Sequence, residues 1–168
     1  MSKLTTLALS IAVLGGVWAF LALNPLAAVA LVWVGFIAWG CYFHTGADNA
    51  ALQKTIAGMS FGAIMAAIAL ALVSGGALGG LGALAAPVII AITVFPLVAA
   101  AGMSLLSVVP ANVYGYAATA GLALTAGTAA NATALNLGNP AILVIISTVL
   151  GAVFGMISGK VAGSLGGK

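Results

Sequence analysis

The stretch SLLSVVPANVYGYAATAG, Ser104 to Gly121, begins like a membrane helix, meets Pro110, and then carries Asn112, Tyr114, Tyr116 and Thr119 among small residues. Hydrogen-bonding side chains are costly in hydrocarbon unless something answers them. Where these groups point therefore decides how the rest of the chain is read.

The surrounding sequence leaves no doubt about the solvent. Hydrophobic residues make up 64% of the chain, charged residues 3%, and the mean hydropathy is +1.34. Such a chain cannot cover a soluble globule with a wet surface, so it is read as an integral membrane protein. The charged side chains are Lys3, Asp48, Lys54, Lys160 and Lys168, which fall near the two ends and in one central segment. Four scattered lysines do not make a nucleic-acid footprint, so no nucleic-acid partner is expected, and they are read as topology markers.

A helix needs about 20 apolar residues to cross roughly 30 Å of hydrocarbon. By that rule the spans are Leu4 to Leu23, Leu26 to Phe43, Thr55 to Val73, Leu84 to Gly102, Ser104 to Ala126 and Ala141 to Gly159. The first is read as an uncleaved span despite its resemblance to a signal peptide. The fold expected is all-α, a single polytopic membrane domain over residues 1–168 with about six transmembrane helices. Six crossings place all four lysines on one face. The positive-inside rule makes that face cytoplasmic, with both termini inside.

Small residues carry a second pattern. Ser147, Gly151, Gly155, Gly159 and Gly163 recur every fourth position of the last span, and Gly58, Gly62 and Ala66 begin the same series in the third. A stripe of this kind, a glycine zipper, lets another backbone approach closely, either inside one subunit or at the seam of a homo-oligomer. The third and sixth helices are expected to pack through these stripes. GMSFGAI from Gly58 and GAVFGMI from Gly151 also share G-x-x-F-G-x-I, and Trp39-Gly40 is echoed by Tyr114-Gly115. If the halves 1–74 and 83–168 are repeats, each has an odd number of crossings and they are inverted, an arrangement used by transporters and channels.

GGVWAF at Gly15, WVGFIAWGCYF at Trp33, the stretch at Ser104 and the proline-led, glycine-rich final span are similar, in that order, to the uncharacterised bacterial inner-membrane proteins catalogued as domain of unknown function 1097. The resemblance implies a compact multi-span inner-membrane fold. It brings no substrate and no functional residues.

In the Ser104 stretch, Pro110 is expected to kink or interrupt the helix, and Asn112, Tyr116 and Thr119 share one helical face that should point inward. Thr93 and Pro96 form a corresponding interruption in the fourth span, and the two kinked neighbours would frame one cavity. The face is either interhelical hydrogen-bond glue or the wall of a solute pathway. Trp18, Trp33, Trp39, Tyr42 and Phe43 are read as interfacial anchors, the alternative being a stacking set for a substrate. His44 and Asp48 are read as a solvated pair, with Asp48 placed to cap the helix that follows. Cys41 is read as a small buried hydrophobe. No paired carboxylates, phosphate loop or metal-ligand cluster is found, so no enzyme, cofactor or metal is expected. The spans also hold no Asp, Glu, Lys or Arg at depth, which argues against proton-driven or charged-substrate transport. The function expected is a facilitative channel or uniporter for a small neutral polar solute, its pathway formed by Asn112, Tyr116, Thr119, Pro110 and Thr93. The alternative is a non-transporting scaffold or accessory subunit that docks a partner through Gly58, Gly62, Gly151, Gly155 and Gly159.

Overall fold

A computed structural model describes residues 2–166 and shows six α-helices joined by turns and short 3₁₀ segments. They are α1 (Lys3–Leu23), α2 (Val32–His44), α3 (Asn49–Ser74), α4 (Ala85–Ala99), α5 (Val109–Thr125) and α6 (Pro140–Leu165). Lys168 lies outside the described residues. Three helix starts are set by capping side chains, which satisfy backbone N–H groups that have no partner inside the helix. Ser2 accepts from the N–H of Thr5 at 3.1 Å, Asp48 from Ala51 at 2.6 Å, and Asn139 from Ala141 at 2.9 Å. The capping role read for Asp48 is therefore present.

Four segments are long and apolar enough to cross a membrane: Lys3–Leu23, Asn49–Ser74, Gly79–Gly102, in which 3₁₀ turns extend α4, and Pro140–Leu165. Two expected spans are shorter than the sequence suggests. The second begins at Val32 instead of Leu26, because Asn24 to Ala30 fold into turns closed by Leu26 N–H to Leu21 O and Ala30 N–H to Leu26 O. The fifth begins at Val109, which corrects the role given to Pro110. That proline sits in the first turn of α5, where the N–H it lacks would have had no helical partner and its fixed φ suits the helix. It starts α5 and interrupts nothing. Pro96 does lie inside α4, where it removes a backbone donor from the ladder.

Contact registers fix the helix directions. Along α2 and α6, the Leu31 N–H donates to Ser147 Oγ at 2.8 Å, Gly35 abuts Gly151, and Trp39 Nε1 donates to Ser158 Oγ at 3.0 Å. Both numbers rise together, so these helices are parallel. So are α3 and α5, where Gly58 meets Ala111 and Gly62 meets Tyr116. Against α1 the order reverses, since Ser10 Oγ donates to the Ser158 carbonyl at 2.8 Å and the Trp18 ring lies 5.5 Å from that of Phe154. It also reverses between α4 and α5, where Thr93 meets Tyr116 and Leu97 meets Asn112. The helices alternate in direction along the chain, and Thr6 lies beside Gly166 where its two ends come together.

Exchanging the triplet α1–α3 with α4–α6 preserves the pairing. The close pair α3–α5 becomes α6–α2, α1–α6 becomes α4–α3, and α3–α6 maps onto itself.

The small-residue stripes do not face each other, contrary to expectation. Gly58 and Gly62 of α3 face α5, and Gly151 and Gly155 of α6 face α2. Apolar side chains gain little by leaving lipid for protein, so close backbone approach and hydrogen bonds must hold these helices together. A methyl group on Gly115 would overlap the Met59 carbonyl, and one on Gly151 would overlap Gly35. The anchor reading of the aromatics is corrected in the same way. Trp18, Trp39 and Tyr42 are buried, and the indole N–H of Trp18 donates to the Val32 carbonyl at 3.0 Å, while Trp33 is exposed. Cys41 is buried and accepts from Thr55 at 3.6 Å.

Candidate functional site

The residues behind Pro110 are brought into the bundle by the glycines of α3. Because Gly58 and Gly62 have no side chains, α5 settles against α3 along Ala111, Asn112, Gly115 and Tyr116. Asn112 and Thr119 are thereby fully buried, and Tyr116 is half-buried.

Asn112 sits at the junction between α4 and α5. Its Nδ2 donates to the Leu97 carbonyl at 3.2 Å and to the Leu106 carbonyl at 3.1 Å. Leu97 belongs to the last turn of α4, where carbonyls have no helical partner, and Leu106 to the 3₁₀ turn that follows. One amide therefore answers two backbone groups that the break between helices would leave bare. The other end of this amide is different, since Oδ1 lies against Gly58 and has no hydrogen-bond partner.

One turn further along α5, the Tyr116 hydroxyl lies 2.9 Å from Thr93 Oγ1 on α4. Thr93 donates to the Ile89 and Ile90 carbonyls at 3.0 and 3.1 Å, so its proton is occupied and the tyrosine is the donor between them. Thr119 Oγ1 again has no partner, and neither does Thr148 Oγ1 on α6, both side chains being fully buried. Thr119 lies six residues before the end of α5 and Thr148 eight after the start of α6. The two hydroxyls thus sit at similar depth below the α5–α6 connection, within about 3 Å at 1.5 Å per residue.

Of the pathway residues expected from the sequence, Asn112, Tyr116 and Thr93 are gathered at the α4–α5 contact, Thr119 lies farther along, and Pro110 acts only on the helix start. Thr148 escaped the sequence reading, although a threonine following Ser147 in an apolar span was a visible signal. Three surface cavities, of about 680, 420 and 360 Å³, are lined by other residues. His44 lines the third of these with Cys41 and Tyr114. No group of three or more His, Cys, Asp or Glu side chains able to hold a metal ion occurs among the described residues.

No curated protein and no solved structure matches the chain. The family model described as "Protein of unknown function (DUF1097)" matches residues 8–163, nearly the whole length and all six helices, and the chain therefore belongs to that family.

Proposed function

We propose that this membrane protein is a facilitative pathway for a small neutral polar solute, such as water, a urea-like amide or a short alcohol, with α5 as its wall. The observation that carries the reading is that three of the four buried oxygens without partners, Asn112 Oδ1, Thr119 Oγ1 and Thr148 Oγ1, lie on α5 and α6, the fourth being Thr128 Oγ1 in the connection between those helices. An unanswered buried polar group costs about 1–3 kcal/mol, a strain that a packing element has no reason to keep. An amide oxygen and two hydroxyls offer hydrogen bonds to an uncharged molecule without selecting for an ion. The preserved pairing of the two triplets supports an inverted repeat, the usual frame of such pathways. The lysine-bearing end is assigned to the cytoplasmic side of a bacterial inner membrane by the positive-inside rule, with both termini there.

The described arrangement is closed, since Gly62 packs directly on α5, and conduction requires α3 and α5 to part. The alternative is an accessory subunit that docks a partner or a second copy through its glycine stripe. It is favoured by Gly163, which is exposed and has open space where a side chain would stand, but Gly58, Gly62, Gly151 and Gly155 are already covered within the chain. The test is swelling of proteoliposomes in gradients of urea, acetamide and glycerol, together with water permeability, against protein-free vesicles. The proposal expects at least one solute to cross faster with protein; no difference for any of them leaves the accessory reading in the lead.

A further inference from the structure

The cavity of about 680 Å³ opens at the end of the bundle where the chain ends meet, and it gathers three of the five charged residues in the sequence: Lys3, Asp48 and Lys160. They arrive from three separate elements, the first turn of α1, the cap of α3 and the last third of α6. In a chain with 3% charge, this convergence is a chemical feature. The cavity exists because α6 presents glycines there: a methyl group on Gly163 would meet no atom of another element within 4 Å, and one on Gly159 would come no nearer than 3.8 Å to Phe43. Asp48 is held in place by its bond from the Ala51 N–H at 2.6 Å, which uses one carboxylate oxygen and leaves the other available. Leu7, Phe43 and Met156 complete an apolar wall.

Two ammonium groups and one carboxylate around one hollow match a ligand that carries a phosphate and a cation together. An apolar wall between α1 and α6, with Leu4 and Ile157 exposed on the same helices, suits acyl chains attached to it. We propose that this cavity seats the headgroup of a phospholipid ending in a primary ammonium, with phosphate toward Lys3 and Lys160 and ammonium toward Asp48. A phospholipid with a glycerol headgroup would satisfy the lysines and leave Asp48 facing no cation. One with a trimethylated ammonium has no N–H to give the carboxylate. The site stands independently of the solute pathway.

The test uses the full chain, purified, stripped of lipid and returned to bilayers containing phosphatidylethanolamine, phosphatidylglycerol or phosphatidylcholine. Retained lipid is counted by native mass spectrometry and the thermal midpoint is followed in parallel. Wild type should retain the ethanolamine lipid preferentially and gain its largest rise in midpoint from it. Asp48→Asn keeps the cap, since Asn serves there as well as Asp. It should lose the preference over phosphatidylglycerol by roughly fivefold, the scale of one exposed ion pair. The Lys3→Gln, Lys160→Gln double variant should lose retention of all three lipids. The proposal is overturned if wild type holds the three lipids equally, if Asp48→Asn keeps the preference, or if the double variant retains lipid as wild type does. Free O-phosphoethanolamine raising the midpoint as much as the lipid would also overturn it, by making this a site for a soluble ligand.

Discussion

Gly62 and Asn112 set the distance between α3 and α5, because a methyl group on Gly62 would overlap the Asn112 backbone carbonyl. Gly62→Ala and Gly115→Ala should therefore each destabilise the bundle by about 1–3 kcal/mol, the scale of overpacking. Gly163→Ala, in open space on α6, should stabilise it by up to about 1 kcal/mol through helix propensity. Unfolding in graded SDS, followed by circular dichroism, orders the three. Equal behaviour of Gly62→Ala and Gly163→Ala would refute the close approach.

Asn112→Leu removes both donors to the Leu97 and Leu106 carbonyls. Each carbonyl left bare should cost about 1–3 kcal/mol, so this variant should unfold several degrees early whatever the protein conducts. A flux defect in it would report on the α4–α5 junction. A thermal midpoint equal to wild type would show that the amide does not bind the junction.

Thr55 and Thr148 are both fully buried, and they coincide when Gly58 is aligned with Gly151. Thr55 bonds to Cys41, whereas Thr148 has no partner. Thr55→Val should consequently lose about 0.5 kcal/mol, and Thr148→Val should gain about 1 kcal/mol by removing an unanswered hydroxyl. Opposite signs in one unfolding series are the expected result, and a loss in both would mean that Thr148 has a partner after all.

Much of this fold was legible because length and hydropathy suffice to find apolar helices, and α1, α3, α4 and α6 lie close to where the sequence places them. The starts of α2 and α5 were harder. Leu26 to Leu31 is as apolar as a helix but runs from turns into extended backbone at Leu31, and a proline in a first helical turn looks the same in sequence as one that breaks a helix. The glycine stripes were visible as stripes, yet the repeat spacing does not say which helix meets them. That depends on tertiary pairing, here α5 and α2. The inward face of α5 was readable from Asn112 and Thr119. Its use in bonding the α4–α5 junction was not, because the Leu97 and Leu106 carbonyls have no signature in sequence. For the same reason Trp18 and Trp39 passed for anchors, since their partners are the Val32 carbonyl and the Ser158 hydroxyl on other helices.

The alternation of helix directions places both ends of the chain and the turn before α3 together. Single cysteines at Ser2, Ala50 and Ser164 should label with an impermeant maleimide from one side of the membrane, and those at Gly80 and Asn131 from the other, with Cys41 silent because it is buried. Labelling of Asn131 and Ser164 from the same side would contradict the arrangement.

The most direct test of the solute pathway sets stability against flux in one protein. Thr119→Val with Thr148→Val keeps side-chain shape and removes only two hydroxyls that bond to nothing in the closed bundle. Glue would be weakened by losing its bonds, but these hydroxyls make none, so the double variant should unfold later than wild type. In proteoliposomes it should carry the solute that wild type carries roughly tenfold more slowly, an added barrier of about 1.4 kcal/mol. Later unfolding together with slower flux is the predicted result; flux equal to wild type for every solute in the panel would contradict the account.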